Sequence, residues 1–191
     1  TIILILVIVG GLLFYFQDRF FNPKVNPKSI AVLPFDNYSP KLEDEFLSDG
    51  FTEVIIANLA KVKDLMIISR TSVMRYKDTD MSLKEIAKEL NVANILEGSI
   101  QKKGNKIRVV GQLIEASTNN HLWAETYDKD IDDIFAIQTS IAKEITSSLK
   151  SQITENEKSI IEDKLTDNIE AYEFYLKVRE LRHSAHLYSH N

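Results

Sequence analysis

Cysteine is absent from this chain of 191 residues. Disulfide frameworks, cysteine-ligated zinc and thiol nucleophiles are therefore excluded. Proline is scarce, with all four prolines between residues 23 and 40, and histidine occurs only four times. The net charge of −5 is mildly acidic. That balance disfavours nucleic acid as a partner of this region, because binding phosphates requires a basic surface.

Sequence motifs for catalysis are also missing. Gly98-Ser99 lacks the second glycine of a nucleophile elbow and lies in a predicted strand. The segment KKGNK contains one glycine and lacks the spacing of a phosphate-binding loop. We therefore predict no catalytic and no cofactor-binding residues.

Acidic and histidine clusters are the remaining candidate sites. Three glutamates could form an acid–base pair, although we expect them to face solvent from adjacent strands: Glu97, Glu115 and Glu125. Four aspartates are spaced in part like the ligands of a calcium-binding loop: Asp128, Asp130, Asp132 and Asp133. The segment lacks the glycine and the closing glutamate of such a loop, and we interpret the aspartates as a helix cap. Three histidines share one face if helical and could then bind a metal, but we expect an exposed helix end and no metal site: His183, His186 and His190. Trp123 and Tyr127 share a strand face, where we expect packing.

A long apolar run, TIILILVIVGGLLFYF, opens the sequence, and no charge appears before Asp18. Together with Phe20 and Phe21 it approaches the ~20 residues of a membrane-spanning helix. We predict a transmembrane helix over residues 1–21, truncated at its N-terminus, with a signal peptide or a buried helix as alternatives. No small-residue cleavage site follows the run. Two prolines in residues 22–28 predict an extended spacer.

Strand and helix patterns alternate after the spacer. The apolar runs Ser29–Phe35 and Leu65–Arg70 predict two strands, the second covered on both faces. Residues 46–62 have helical periodicity, and Gly50 predicts a kink or a late start in that helix. Ser82 and Glu85 have the spacing of a capping box at the start of a second helix.

Three further strands and a helix complete the pattern. Ile95–Ile100 and Ile107–Ile114 flank a tight turn at Gly104-Asn105, and His121–Tyr127 follows. The spacing of isoleucines over Ile134–Leu149 predicts a long amphipathic helix. The fold class is therefore α/β, in the order β-α-β-α-β-β-β-α. Its mixed sheet has about five strands and a parallel pair joined by a crossover.

Residues 154–191 differ in composition from the region before them. They begin with a charged linker, and Ile169–Leu181 has the aromatic and apolar spacing of the first helix of a tetratricopeptide repeat. Because such arrays need about three repeats, we expect the chain to be a fragment at both ends.

Several segments in order resemble the TolB amino-terminal-like domain: SIAVLPFDNYS, FLSDGFTE, IISRTSV, NILEGSI, QLIEASTNNHLWAETYD and DIFAIQTSIAKEI. The resemblance covers about residues 28–153. It implies a non-enzymatic extracytoplasmic interaction domain between a transmembrane helix and tetratricopeptide repeats. It also implies that a winged-helix or nucleotide-cyclase domain often precedes the anchor, and it supplies no catalytic residues.

We therefore expect the non-catalytic sensor region of a bacterial membrane-anchored regulator. The membrane is bound through residues 1–21, the domain lies in the periplasm, and the partners are envelope proteins. Two alternatives remain: the non-catalytic part of a membrane nucleotide cyclase, and a structural envelope docking protein. Arg19, Lys24 and Lys28 follow the anchor and would favour a cytoplasmic location, but the opposite flank needed for comparison is missing.

Overall fold

The structure is a computed structural model that describes residues 25–40, 44–162, 166 and 168–188. The anchor predicted over residues 1–21 and the first part of the spacer lie outside these ranges. Within them, no helix combines the length and the apolar character needed to cross a membrane.

A mixed sheet and a set of helices make up the described part of the chain. The strands are β1 Ser29–Val32, β2 Asp36–Asn37, β3 Met66–Ile67, β4 Asn94–Lys103, β5 Lys106–Glu115 and β6 Asn120–Asp130. The helices are α1 Glu45–Ala60, α2 Arg70–Val73, α3 Leu83–Leu90, α4 Ile134–Ser148, α5 Glu155–Glu162 and α6 Ile169–Tyr188.

The sheet has the order β3-β1-β4-β5-β6, and β2 pairs with the far half of β4. Strand β1 pairs in parallel with both β3 and β4. Strands β4, β5 and β6 form an antiparallel meander. The predicted α/β class and mixed sheet are confirmed, with β2 as an additional strand.

Two local predictions are wrong. The segment Leu65–Arg70 contributes only the two-residue β3, in which Met66 is 40 % exposed, so this strand is not covered on both faces. Gly50 does not mark a late start, because α1 begins at Glu45 and continues through it. A Cβ at Gly50 would collide with the side chain of Leu176 in α6. The glycine therefore lets α6 approach α1.

The capping box predicted at the start of α3 is present. The Ser82 hydroxyl accepts a hydrogen bond from the Glu85 amide at 3.3 Å, and the Glu85 carboxylate accepts one from the Ser82 amide at 2.9 Å. The helix ends at Asn91, whose φ of 54° lies in the left-handed region. Both ends of α3 are thus set by local sequence.

The main core lies between one face of the sheet and the helices α1 and α4. Phe35 stacks on Phe51 of α1 with ring centroids 5.2 Å apart. The core also takes in Tyr172 and Leu176 of α6, which are 1 % and 3 % exposed. Buried side chains therefore continue past Ile153, and the segment predicted as a linker contains α5.

Candidate interaction surface

The outer edge of the sheet is formed by β6, an eleven-residue strand. It pairs with β5 on one side, and its side chains are mostly exposed. Among the described residues, the hydrogen bonds of its backbone outside that pairing reach only the adjacent turn, where the Asn120 amide donates to the Thr118 hydroxyl at 3.3 Å. The opposite edge is the two-residue β3. Strand β6 is therefore the longer open edge.

The two aromatic residues of β6 anchor it to the core. Trp123 and Tyr127 are half-buried and pack against the core on the face that carries α4. A Cβ at Gly111 would lie 3.0 Å from the Trp123 ring, so this glycine makes room for the indole. Burial, followed by the charges of Glu125 and Glu144, raises the pKa of Tyr127 to about 12. The tyrosine is therefore neutral at physiological pH.

Two ion pairs join β5 to β6 near the far end of the strand. Arg108 donates to both carboxylate oxygens of Asp128, at 2.6 and 3.0 Å. Lys106 lies 2.8 Å from Asp130. All four side chains are largely exposed, so the pairs fix the register more than they stabilise the fold.

The second feature is a cleft of about 390 Å³ on the sheet face opposite α1 and α4, which we call the β4–β5 cleft. It is lined by the chain segment around β2, the loop before α3 and the start of α3: residues 33, 34, 36, 38, 76–79, 81, 83 and 86. Glu97, Ser99, Val110 and Gln112 form its sheet side.

Glu97 is the carboxylate on this cleft's sheet side. It accepts a hydrogen bond of 2.6 Å from the Gln112 amide group. Burial raises the pKa of Glu97, and the Gln112 hydrogen bond acts in the opposite direction. The charge of Asp36 raises it further, and His121 lowers it.

The three glutamates considered as an acid–base set do not face one another. Glu97 is paired with Gln112 and lines the cleft, whereas Glu125 is paired with Gly111 on the α4 side of the sheet. Glu115 lies at the end of β5, opposite Asn94. Neighbouring register positions alternate between the two faces, so the carboxylates of Glu97 and Glu125 are separated by the sheet.

The aspartate cluster is split in a similar way. Asp128 and Asp130 are held by Arg108 and Lys106, as described above. Asp133 occupies the N-cap position of the turn leading into α4, but its side chain makes no capping hydrogen bond. An aspartate thus occupies the N-cap position of α4, where its charge suits the helix dipole, without a capping side-chain hydrogen bond.

In the part of the chain that the structure describes, no group of histidine, aspartate and glutamate side chains is arranged to hold a metal ion. His183 and His186 belong to α6, but their side chains lie outside the described part, as does all of His190. The histidine prediction therefore stays untested.

The sequence did not indicate the cleft. Its walls depend on β2 and on the loop from Tyr76 to Met81, which have no hydrophobic periodicity. The nearest signals in the sequence were Pro34, which ends the first apolar run, and Asp78. Aspartate is a residue type that tolerates left-handed backbone, and the structure gives Asp78 a φ of 55°.

Similar proteins include one relative that is 40 % identical over 152 residues, a Rhizobium meliloti (strain 1021) protein whose name marks it as a candidate adenylate cyclase. The match covers 80 % of this chain but 26 % of the relative, so the chain spans about a quarter of that protein.

Solved structures with a related shape include TolB from Acinetobacter baumannii, with 15 % identity and a TM-score of 0.48, covering 63 % of this chain and 28 % of TolB. The LpoB C-terminal domain from Salmonella enterica has 15 % identity and a TM-score of 0.44, covering 57 % of this chain and 87 % of LpoB. Both TM-scores lie below 0.5, and neither likeness assigns a function to this chain.

Residues 26–145, well over half of the chain and most of the sheet and its helices, match the second domain of the HilA/YgeH-like transcriptional regulators. The chain therefore belongs to the family of HilA/YgeH-like transcriptional regulators, of which this region is the second domain.

Proposed function

We propose that this region is the non-catalytic interaction and sensor module of a bacterial membrane-anchored regulator, and that a protein partner adds a strand to β6. The observation that carries the proposal is the exposed edge of β6. An unpaired edge presents free N–H and C=O groups, to which an extended segment can bind. The exposed charges on β6 limit uncontrolled pairing, so a partner must also match the side chains.

A binding role is favoured over catalysis by the arrangement of the polar groups. Glu97 and Glu125 occupy opposite faces of the sheet, and Asp128 is neutralised by Arg108. General acid–base chemistry needs two groups within reach of one substrate. The regulatory role is supported by the family, whose name is that of transcriptional regulators.

The membrane anchor and the periplasmic location are also proposals. They are supported by the apolar run over residues 1–21, which precedes the proline-containing spacer. We propose that the anchor lies in the inner membrane, crosses it once and joins the domain to a part of the regulator on the other side. A binder at β6 would then change the regulator by favouring one of its conformations over another.

The start of a tetratricopeptide array in α6 is likewise proposed. Its inner face is docked through Tyr172 and Leu176, while Phe174, Tyr175 and Val178 are 69 %, 46 % and 44 % exposed. A first repeat helix has such an apolar outer face, which the next helix of the repeat covers.

Site-specific photocrosslinking in cells tests strand addition. A photoreactive residue at Thr126, which is exposed in β6, should form adducts with a defined partner. The matched control is the same residue at Met66, on the opposite and shorter edge. Equal adducts from both positions would contradict the proposal.

Two proline variants then separate edge pairing from general surface contact. Adjacent amides in a strand point to opposite sides, so of Ala124→Pro and Glu125→Pro one breaks a bond to β5 and the other blocks an outward amide, while the photoreactive residue stays at Thr126. The variant that keeps the native circular dichroism spectrum and unfolding midpoint should lose the adducts. Adducts that persist in this variant would show that backbone pairing is not used.

A second candidate function is the non-catalytic part of a membrane nucleotide cyclase. The observation that favours it is the 40 % identity to the Rhizobium meliloti protein. The test measures cyclic AMP formation by the purified full-length protein and by residues 1–191 alone. Activity in the full-length protein alone would favour this candidate and place catalysis outside the region.

A further inference from the structure

The β4–β5 cleft has an apolar floor. Leu33 and Ile86 are 7 % and 1 % exposed, and Pro34 is also buried beneath it. The volume of about 390 Å³ lies at the lower end of the range for ligand pockets, about 300–1,000 Å³. The floor can therefore accept a short aliphatic chain, but the volume excludes a large ligand.

The charged residues that line the cleft are three acids and one lysine, beside neutral polar residues such as Ser99 and Gln112. Asp36, Asp78 and Glu97 all line the cleft. The lysine that lines it, Lys77, is already held by Asp49 at 2.7 Å and Glu45 at 2.5 Å. Among the ion pairs of the described residues, none involves the three acidic groups. The cleft therefore carries negative charge that no described side chain neutralises.

Two exposed side chains extend the walls. Tyr38 is 63 % exposed, and its hydroxyl donates a hydrogen bond of 3.4 Å to Asp36. Met81, 39 % exposed, lies on the loop before α3. An aromatic ring and a thioether beside carboxylates suit a cation carried on an aliphatic stem, because the ring face attracts positive charge.

We infer that the β4–β5 cleft binds a lysine or arginine side chain of a protein partner. The methylene stem lies on Leu33, Pro34 and Ile86, and the charged group lies among Asp36, Asp78 and Glu97. This combination of an apolar stem and a cationic head matches the cleft in both respects. The inference rests on the proposed interaction role, and it adds a chemical specificity that strand pairing at β6 cannot provide.

Competing ligand classes fit less well. An anion would be repelled by the three carboxylates that line the cleft. A bare metal ion lacks a site, because the described residues contain no cluster arranged for one. A purely apolar ligand would cover the half-buried carboxylate of Glu97 and add no partner to the hydrogen bond that it accepts from Gln112.

The test is a nuclear magnetic resonance titration of the full 191-residue chain in detergent micelles. The probes are the blocked residues N-acetyl-lysine-methylamide and N-acetyl-arginine-methylamide, with N-acetyl-norleucine-methylamide as the uncharged probe and cadaverine as a free amine. We expect saturable shifts of the Gly98, Ser99 and Val110 amides with the two basic probes only. The affinity should fall by about tenfold for each of Asp36→Asn and Glu97→Gln.

The matched control is Glu125→Gln, which removes the same charge from the opposite face of the sheet and should leave the affinity unchanged. Equal binding of the norleucine probe, equal weakening by Glu125→Gln, or no saturable shift would overturn the inference. Tighter binding of cadaverine than of either blocked residue would also overturn it, in favour of a small-molecule ligand. The titration uses single blocked residues that cannot add a strand to β6, and the proline variants test backbone pairing at β6 without changing a cleft residue, so the two proposals can fail separately.

Discussion

Gly98 and Gly111 lie opposite each other on β4 and β5, yet a methyl group would have very different effects at the two positions. At Gly98 it would overlap the Val110 carbonyl oxygen and lie 2.9 Å from Cδ1 of Phe35, which is fully buried. At Gly111 it would meet the half-buried Trp123 ring at 3.0 Å, and that side chain can shift.

Gly98→Ala should therefore destabilise the fold more than Gly111→Ala. Overpacking of a core costs about 1–3 kcal/mol, and we expect Gly98→Ala at the upper end because the backbone cannot move aside. Gly104→Ala is the second comparison, because Gly104 has a φ of 60° and open space around it, so its cost is conformational alone, about 1 kcal/mol. Urea unfolding of the three variants gives the order. A Gly98→Ala variant as stable as Gly111→Ala would contradict this packing.

Sequence alone excluded Gly98-Ser99 as a catalytic elbow, but it could not reveal why a glycine is needed there. The reason lies in Phe35, which is far away in sequence and reaches Gly98 only once β1 and β4 are paired. The same applies to Gly50, whose partner Leu176 belongs to a helix near the end of the chain.

At the scale of elements, α5 is fixed at its start by one carboxylate. Glu157 accepts hydrogen bonds from the Thr154 amide at 2.9 Å and the Thr154 hydroxyl at 2.7 Å, and with its other oxygen from the Lys63 amide at 3.0 Å. These hydrogen bonds lower the pKa of Glu157 from 4.5 to about 2, and the bond from the Thr154 amide has the largest effect. The charged form thus caps α5 and ties it to the end of α1.

Stability should depend on pH through this group. Because the pKa is lowered in the fold, the contribution is fully present above about pH 4.5 and is lost as the pH falls to about 2. Glu157→Gln should therefore lower the urea midpoint at pH 7, and its difference from the natural protein should shrink towards pH 2. The control is Glu155→Gln, an exposed residue of the same helix. An equal pH dependence in both variants would contradict the role of Glu157.

Elements with strong local signals were predictable. Helix α3 has its capping box, α4 its apolar spacing, and β4–β6 their turn residues and alternating side chains. The elements that the sequence missed are short and depend on distant pairing. Strand β2 has only two residues and forms by pairing with β4. Helix α5 is held in place by the hydrogen bond from the Lys63 amide to Glu157. The cleft was missed for the same reason, since β2 forms one of its walls.

For the whole molecule, the anchor and the domain should separate. Removing residues 1–21 should move the protein from the membrane fraction to the supernatant and leave a cooperative unfolding transition, because the described residues already form one continuous buried core among themselves. The matched control replaces residues 1–21 by a leucine-rich segment of equal length, which should restore membrane binding. Aggregation of the shortened chain, or loss of its cooperative transition, would show that the apolar run belongs to the core.

The docking of α6 has a consequence for the order of folding during synthesis. The side chain of Leu176 lies over Gly50, and the side-chain amide of Gln138 in α4 donates a hydrogen bond of 3.2 Å to the Tyr172 hydroxyl. These contacts join parts of the chain that leave the ribosome at very different times, and domains fold as units during synthesis. Until residues 172–176 emerge, the surfaces of α1 and α4 that Leu176 and Tyr172 cover stay exposed. The nascent chain is therefore most exposed to chaperones and to aggregation in the interval between completion of α4 and arrival of α6.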